Sequence, residues 1–583
     1  MAETLLSPGV SARENDQSFL PGQPINVGAA IIGPTPKGPI EFPTLIGSYG
    51  DFQQIFGTTI QSGSGVYSYL TSIAASEYFA NNGTSLLVTR VVSGSNNNWS
   101  SATSSLIPTG SGGPTTGGSP FVLETISEGE IMNNTGAELA NGSLTSGSAD
   151  NIRWEIPFVN TSSGTFNLLI RRGNDNRVQK SELETYLNLS LDPYSPNYIS
   201  KVIGDASYNL RNDDGTYYIQ QSGSYGNFSR YIRVKEVNFN TPQYLDNNSR
   251  AKDIYTGSLP VVSSGSFGGA IGSNIPVGKV ANFYEKIGTG PVADTQGLTG
   301  SDYTNAINLL ANTDEYKYNV LYTPGLISEH YPSQINTIVN NTIARGDALA
   351  VIDLRGYGSA LNAVITGASS FDSSYAATYW PWLQVNDPNR SNERVWIPAS
   401  TMIPGVYAST DDSSAPWFAP AGINRGVLST VLKAERNLTV GNRDALYEAN
   451  INPIATFPSV PGVVVFGQKT LQKRASALDR INVRRLLIAL KSFISQVADG
   501  LVFEQNTAST RSNFLSVVNP YLESVQQRQG LFAFRVVMDE TNNGPDVVDR
   551  NELVGQIFLQ PTRTAEFILL DFNILPTGAT FPS

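Results

Sequence analysis

The chain has 583 residues, a formal net charge of −11, 40% hydrophobic residues and only 15% charged residues. It contains no cysteine and a single histidine, which excludes disulfide scaffolds, thiolate zinc sites, cysteine nucleophiles and histidine-dependent triads. At roughly 150 residues per domain, this length predicts about four domains. The acidic charge argues against direct binding of nucleic acid.

The N-terminal part combines an arm with the start of a folded domain. Residues 1–24 are polar and interrupted by proline and glycine, which predicts an extended arm. Within residues 25–92, an apolar run at Val27–Ile32 predicts a buried strand. Helical spacing over Ser64–Asn81 predicts a helix, and Leu86–Val92 predicts a second buried strand. Strand, helix and strand in this order favour an α/β unit.

Residues 93–297 lose the helical pattern and are rich in glycine, serine, threonine and asparagine, which predicts loops between short strands. Asp214-Gly215 predicts a hairpin turn, because this pair tolerates positive φ. We expect a mainly β surface insertion with two subdomains. Its predicted strands are Phe121–Leu123, Trp154–Phe158, Phe166–Ile170, Tyr217–Gln220 and Tyr231–Val237.

The α/β pattern resumes over residues 298–424. A helix is predicted around Ala306–Leu310, followed by a strand at Tyr318–Tyr322 that ends at Pro324-Gly325. A further helix and strand are predicted at Pro332–Ala344 and Leu349–Asp353. Residues 25–92 and 298–424 are therefore interpreted as one discontinuous α/β core domain.

Residues 425–583 form the most regular part of the chain. Apolar residues step by three and four over Ile481–Val497, which predicts an amphipathic helix. A second helical pattern covers Phe514–Gln526, where Pro520 predicts a kink or a fresh start. Strands are predicted at Leu531–Met538, Leu553–Gln560 and Glu566–Ile574. The predicted fold class is multidomain α/β (α+β), with a C-terminal α/β domain and mainly β insertions.

No catalytic, metal-binding or cofactor-binding residue is predicted, and the chain is not expected to be an enzyme. The stretch Gly462–Thr470 resembles a phosphate-binding loop, but it has one residue too many and a β-branched interior, so a strand is predicted. No signal peptide or membrane-length apolar stretch occurs in the sequence. A soluble protein without membrane insertion, made in a cytoplasm, is expected.

One segment carries the opposite charge to the rest of the chain. Between residues 469 and 499, seven basic residues face only Asp479 and Asp499. A solvated helix face with intramolecular ion pairs is one interpretation, and a docking face for an acidic partner is the other. The candidate docking residues are Lys469, Lys473, Arg474, Arg480, Arg484, Arg485 and Lys491.

Short motifs occur at both ends of the chain. The C-terminal motifs are Ala419–Gly426, Arg443–Tyr447, Ile451–Pro453, Asp479–Arg485, Phe503–Asn506, Arg511–Phe514, Asp549–Asn551 and Gln560–Pro561. The N-terminal motifs are Ser7–Val10, Gly33–Pro34, Gly38–Pro39, Ser48–Phe52 and Ile55–Gly57. In these motifs the chain resembles the tail sheath proteins of contractile-tailed bacteriophages. The resemblance covers about 1–92 and 300–583, in the same order, and leaves 93–297 largely unmatched.

The resemblance implies a structural subunit that forms stacked hexameric rings around an inner tail tube in the virion, after assembly in the host bacterial cytoplasm. It implies contraction from a metastable extended state, and it implies baseplate and tail terminator proteins as further partners. It also implies that 425–583 faces the tube, that the insertion faces outward, and that terminal arms exchange strands with neighbouring subunits. The candidate arm residues are Ser7, Pro8, Gly9, Val10, Ile568, Leu570, Phe572 and Ile574.

Two alternatives stay open at this stage. The first is the sheath of a phage-derived injection particle, such as an R-type bacteriocin or an extracellular injection system. The second, from another class, is a β-rich carbohydrate-binding or hydrolytic virion protein. For the second, the tryptophans at 380, 382, 396 and 417 could line a sugar-binding face, although neighbouring prolines favour packed turns.

Overall fold

A computed structural model of the protein describes residues 28–566, except 95–97, 111–117, 276–277, 290–293, 392 and 459. Within these residues the chain divides into two compact units, which are described separately. The larger unit comprises residues 28–489 and 563–566 of the described chain, and the smaller comprises 490–562. Among the described residues, no helix combines the length and apolarity needed to cross a membrane.

The larger unit is built on one sheet, in which the described residues form nine strands. The inner strands are parallel, as the order of strands and helices predicts. Antiparallel strands complete both edges. In spatial order the strands are Thr44–Ile46, Leu86–Arg90, Ala29–Gly33, Val320–Ile327, Leu349–Asp353, Ala376–Trp380, Asn452–Thr456, Val463–Val465 and Val427–Leu428.

Both faces of this sheet are covered by helices. Successive strand residues point to opposite sides of the sheet, and the apolar residues on each side are buried under one layer of helices. Ala29 and Ile31 enter one hydrophobic core, whereas Ala30 and Ile32 enter the other. The first face is covered by the helices Tyr49–Phe56, Leu70–Ala80 and Ile403–Ser413, and the second by Thr304–Leu309, Pro332–Arg345, Leu361–Ala368 and Val440–Glu448. The multidomain α/β fold class is therefore confirmed.

The last three strands of the sheet come from residues 427–465, so the predicted boundary between 424 and 425 falls inside the sheet. A smaller sheet lies beside them and joins Arg394–Ile397, Leu383–Asn386 and Val431–Ala434. The strand at Val463–Val465 agrees with the sequence interpretation of Gly462–Thr470 as structural.

Two local predictions in the core need correction. The helix predicted over Ser64–Asn81 begins at Leu70, because Thr59–Ser62 and Gly65–Ser68 form a hairpin around Gly63, whose φ is +60°. The strand Val320–Ile327 does not end at Pro324-Gly325. Its pairing with the next strand is instead interrupted between Tyr322 and Ile327 and then resumes.

The insertion has a hydrophobic core of its own, formed by residues between Ala102 and Ala270. One sheet joins Glu182–Ser190, Thr165–Arg172, Ile152–Ile156 and Ser263–Gly265, with Val159–Asn160 paired beside it; the other joins Ile232–Val237, Phe121–Glu128, Ser101–Ser104 and Phe267–Gly268. Its short helices are Ile199–Ile203 and Asp253–Thr256. Every strand predicted here from the sequence overlaps a strand of the structure.

The structure differs from the predicted insertion at its end and at one hairpin. Phe283, Tyr284 and Ile287 pack in the main hydrophobic core, so the chain has returned to the core domain before residue 297. The hairpin of Ser207–Asp213 and Thr216–Ser222 turns at Asp214-Gly215, where both residues have positive φ as predicted. Its apolar residues pack against the second core of the main sheet rather than against the core of the insertion.

The smaller unit holds a helix and a strand pair. The helix Ala508–Gln527 is continuous through Pro520, so the proline neither starts a new helix nor ends the old one. The strand Leu531–Val537 pairs antiparallel with Gln556–Pro561, and the short helix Pro545–Asp549 lies between them in the chain. The long helix Ile481–Asp499 precedes these elements in the chain and begins in the larger unit.

Candidate functional site

The basic segment is held in shape by backbone pairing at its start. The N–H of Thr470 donates to the carbonyl of Asp479 at 3.0 Å, and Lys469 forms an antiparallel bridge with Arg480. The N–H of Ile481 donates to the carbonyl of Gln468 at 2.8 Å, at the point where the long helix begins. The loop of residues 471–478 is thereby closed, and Lys469 and Arg480 are brought side by side.

Arg480 binds a carboxylate that lies 86 residues further along the chain. Its Nε and Nη2 donate to the two oxygens of Glu566 at 2.7 and 2.9 Å, a bidentate ion pair. The hydroxyl of Tyr447 donates to Glu566 Oε2 at 2.6 Å, and Gln468 Nε2 donates to Glu566 Oε1 at 3.1 Å. We call these four residues, Tyr447, Gln468, Arg480 and Glu566, the Glu566 cluster.

The electrostatics of the cluster favour the ionised carboxylate. Burial raises the pKa of Glu566, but the hydrogen bonds from Arg480 and Tyr447 outweigh it, and the pKa lies below its usual range. Lys469 lies beside the cluster, with its ammonium 4.3 Å from the centre of the Tyr447 ring and bonded to the Tyr447 carbonyl at 2.7 Å. Burial and the nearby guanidinium of Arg480 lower the pKa of Lys469.

Arg484 and Arg485 point into the protein, which corrects their prediction as docking residues. Their guanidinium groups diverge, as expected of consecutive helical residues. Arg484 donates to Ser374 Oγ and stacks over the Tyr375 ring at 4.0 Å. Arg485 forms an ion pair with Asp411 at 2.5 Å, and its side chain is only 5% exposed. Both charges are used within the subunit, so for these two the interpretation as intramolecular contacts applies.

The remaining basic residues of the segment are exposed. Lys473 is exposed, although its Nζ donates a hydrogen bond to the carbonyl of Ser369 at 2.7 Å. Arg474 is exposed on the same loop, and Lys491 is exposed on the long helix. The docking prediction therefore stays open for Lys473, Arg474 and Lys491.

The structure also bears on metal binding and on the sugar-binding alternative. Among the described residues, no group of three or more histidine, aspartate or glutamate side chains is placed to hold a metal ion. Trp380, Trp382 and Trp417 are buried, at 3%, 2% and 8% exposure, so they do not form a sugar-binding face. Trp380 is the last residue of the strand Ala376–Trp380, whereas Trp382 and Trp417 each follow a proline outside the helices and strands.

Comparison with known families identifies most of the C-terminal half. Residues 296–471 match the model of the phage tail sheath protein central domain, and residues 474–574 match that of the phage tail sheath C-terminal domain. Residues 296–574 are thus similar to the central and C-terminal domains of phage tail sheath proteins. The resemblance found in the sequence motifs is confirmed.

Two curated sheath relatives are similar over part of their length. The tail sheath protein of Vibrio phage KVP40 is 43% identical over 218 residues, which cover 37% of this chain and 31% of the relative. That of Enterobacteria phage T4 is 37% identical over 249 residues, covering 42% of this chain and 36% of the relative. The matches thus span about a third of the length of these sheath proteins.

A solved structure shows that the fold likeness extends further than the sequence matches. The sheath tail protein of Listeria innocua aligns with a TM-score of 0.51 at 10% identity, covering 92% of this chain and 95% of that chain. At this identity the likeness concerns the fold alone.

The predicted exchange arms lie outside the described residues. This applies to Ser7, Pro8, Gly9 and Val10, and to Ile568, Leu570, Phe572 and Ile574. Glu566, the first residue of the predicted C-terminal arm strand, is described and lies in the Glu566 cluster.

The sequence does not predict the Glu566 cluster, although three of its four residues belong to segments that the sequence analysis singles out. Arg480 was interpreted as a docking residue, Tyr447 belonged to a family motif, and Glu566 opened a predicted strand. No periodicity links these positions, because they are separated by 33 to 119 residues and meet only through the tertiary fold. The one sequence feature that points to the cluster is the local excess of positive charge between residues 469 and 499. Carboxylates from elsewhere in the chain can neutralise such an excess.

Proposed function

We propose that this chain is the structural subunit of a contractile tail sheath. In this proposal it polymerises as stacked hexameric rings around an inner tail tube, and contraction from a metastable extended state drives the tube through a host cell envelope. The observation that carries the proposal is the pair of consecutive family matches over residues 296–471 and 474–574. The two similar phage proteins, both tail sheath proteins, agree with it.

The work of such a machine comes from a difference in free energy between two packings of the same subunits, so no chemical step is required. The larger unit is suited to this, because a sheet with a hydrophobic core on each face can rotate as a rigid body without losing its own contacts. The proposed partners are other copies of the chain, the inner tube protein, and the baseplate and tail terminator proteins. The proposed location is the virion, after assembly in the host cytoplasm.

We also propose that Lys473, Arg474 and Lys491 contribute to contacts with the tube or with neighbouring subunits. An exposed pair contributes on the order of 0.2–1 kcal/mol, which can set register in a repeating assembly and still be released on contraction. The test is the double reversal Lys473→Glu with Arg474→Glu. We expect fewer extended sheaths on tubes and a changed salt sensitivity, with an unaltered unfolding midpoint.

The matched control for this test is the double reversal Arg177→Glu with Lys279→Glu, which changes two exposed basic residues within the predicted insertion. The proposal places the insertion on the outside and residues 425–583 toward the tube. The control should therefore assemble normally, and equal loss in both double variants would show that overall charge, not docking, matters.

The terminal arms are proposed to add strands to the sheets of neighbouring subunits. Backbone hydrogen bonds suit this role because each contributes about 0.5–1.5 kcal/mol and several act together in one strand. Deletion of residues 1–20 should leave a folded protein that no longer polymerises.

The proposed function is tested by electron microscopy of the purified chain, alone and with its tube protein. Regular tubes of stacked rings, in a long narrow form and a short wide form, are the expected result. A protein that stays monomeric under all conditions, or that binds polysaccharide instead, would refute the assignment.

A further inference from the structure

The chain returns to the larger unit just before the predicted C-terminal arm. Residues up to Thr562 belong to the smaller unit, and Arg563–Glu566 belong to the larger one. Thr562 to Ala565 are all exposed, whereas the side chain of Glu566 is only 18% exposed. The contacts that hold these last described residues to the larger unit are thus made largely by one carboxylate.

The contacts to this carboxylate are specific in number and direction. Arg480 offers two parallel N–H donors, and Tyr447 and Gln468 each add one more. Gln468 Nε2 also donates to Thr564 Oγ1 at 2.7 Å, so the segment is bound at two points. Four donors that converge on two oxygens fix both the position and the orientation of the chain at Glu566.

The donors themselves are set on rigid elements. Gln468 and Arg480 flank the backbone pairing of the basic segment, and Arg480 is also paired with Asp479 at 3.1 Å. Tyr447 lies on the helix Val440–Glu448, and the ammonium of Lys469 packs on its ring. A site held in this way keeps its geometry when the carboxylate is absent.

We propose that Glu566, Arg480 and Tyr447 are positioning residues that fix the root of the C-terminal arm. The role of the arm in strand exchange rests on the proposed function, whereas the anchoring of residues 563–566 rests on the contacts alone. With Glu566 fixed, each residue that follows it adds at most about 3.6 Å of reach. The anchor thereby limits which neighbour the arm reaches and sets the register of the added strand.

The anchor is tested first in the monomer, by trypsin cleavage after Arg563. Binding of Thr564 and Glu566 should protect this bond, because a protease needs an extended and released substrate chain. Replacement of Glu566→Gln keeps the shape of the side chain and removes its charge. We expect release of the peptide 564–583, followed by mass spectrometry, to be roughly tenfold faster, which corresponds to about 1.4 kcal/mol.

The matched control is Glu552→Gln, which removes an exposed carboxylate that also pairs with an arginine. It should leave cleavage at Arg563 unchanged. Arg480→Gln should accelerate cleavage as much as Glu566→Gln, and the double variant should be no faster than either single variant, because all three changes break the same ion pair. Additive effects, or no acceleration in either single variant, would overturn the anchor.

The positioning role is tested in assembly. Glu566→Gln should raise the protein concentration needed for polymerisation several-fold, while the unfolding midpoint and the assembly of Glu552→Gln stay as in the wild type. Arg480→Lys, which keeps the charge but not the bidentate geometry, should give an intermediate effect. Faster cleavage with unchanged assembly would refute positioning. If the wild type forms no sheath, the proposed function fails while the cleavage assay still decides the anchor.

Discussion

The ion pair between Arg485 and Asp411 gives a sharp test of whether the basic helix serves stability or docking. Arg485 Nη2 donates to Asp411 Oδ2 at 2.5 Å, with the two side chains 5% and 14% exposed. The guanidinium also packs over the Tyr407 ring at 4.6 Å. Replacement of Asp411→Ala leaves this cation buried without its carboxylate. Breaking such a pair from one side costs about 3–5 kcal/mol of the free energy of unfolding.

The lower end of that range applies here. Burial raises the pKa of Asp411, and the attraction of Arg485 only partly offsets the rise, so the carboxylate already carries a desolvation cost. We therefore expect Asp411→Ala to lose about 3 kcal/mol. The neighbouring Asp412→Ala is the control, since Asp412 is exposed and accepts only a surface hydrogen bond from Asn82 among the contacts described. It should change stability by less than about 0.5 kcal/mol.

The measurement is urea unfolding of the monomer, followed by tryptophan fluorescence. The double variant Asp411→Ala with Arg485→Met should recover part of the loss, because it removes both charges and leaves an apolar side chain in place of the guanidinium. The reasoning is refuted if Asp411→Ala and Asp412→Ala have the same unfolding midpoint. It is also refuted if Asp411→Ala keeps full stability but abolishes assembly, which would assign Arg485 to docking.

Three further predictions concern single residues. Burial raises the pKa of Asp353 to about 6, so the stabilisation from its protonated carboxyl group is complete below pH 3.8 and is lost as the pH rises through 6. The free energy of unfolding of Asp353→Asn, relative to that of the wild type, should therefore rise by about 3 kcal/mol between pH 3.5 and pH 8, measured by unfolding at both values. Pro520→Ala restores the N–H that can donate to the Ser516 carbonyl within the helix, and it should raise the free energy of unfolding of the smaller unit by roughly 1–3 kcal/mol, measured by circular dichroism melts. Gly215→Val places a β-branched residue at a φ of +90° and should speed amide exchange in its hairpin about tenfold or more, while exchange in the central sheet stays unchanged.

The central sheet was predictable because its strands are apolar on both faces. Leu349–Asp353 and Pro332–Arg345 are found within one residue of their predicted bounds, since a continuous apolar run and a 3.6-residue period are local signals. The hairpin before Leu70 was missed because Tyr67 happens to continue the helical spacing of the residues that follow. The turn around Gly63 forms the hairpin and so determines where the helix starts, but a turn has no hydrophobic periodicity that would reveal it.

The candidate site was less predictable, for a physical reason. The basic residues were found by counting charge, but a charge count does not reveal the partner. Arg484, Arg485 and Arg480 each bind a group that is between 74 and 110 residues away in the chain. Which arginine turns inward depends on the helices packed against it, so only the tertiary fold separates buried pairs from exposed residues such as Arg474.

The ends of the insertion meet at a single backbone position. The N–H of Ser100 donates to the carbonyl of Ile271 at 3.0 Å, and the N–H of Ile271 donates back to Ser100 Oγ at 3.0 Å. The 170 residues between them therefore leave and re-enter the larger unit at adjacent positions, which a short turn could join, although removal of these residues would also remove the hairpin that packs against the second core. Because the two ends of the insertion are adjacent, the inserted residues can be exchanged or enlarged in evolution while the main sheet is preserved. This arrangement also offers a site where a foreign domain with adjacent termini could be grafted.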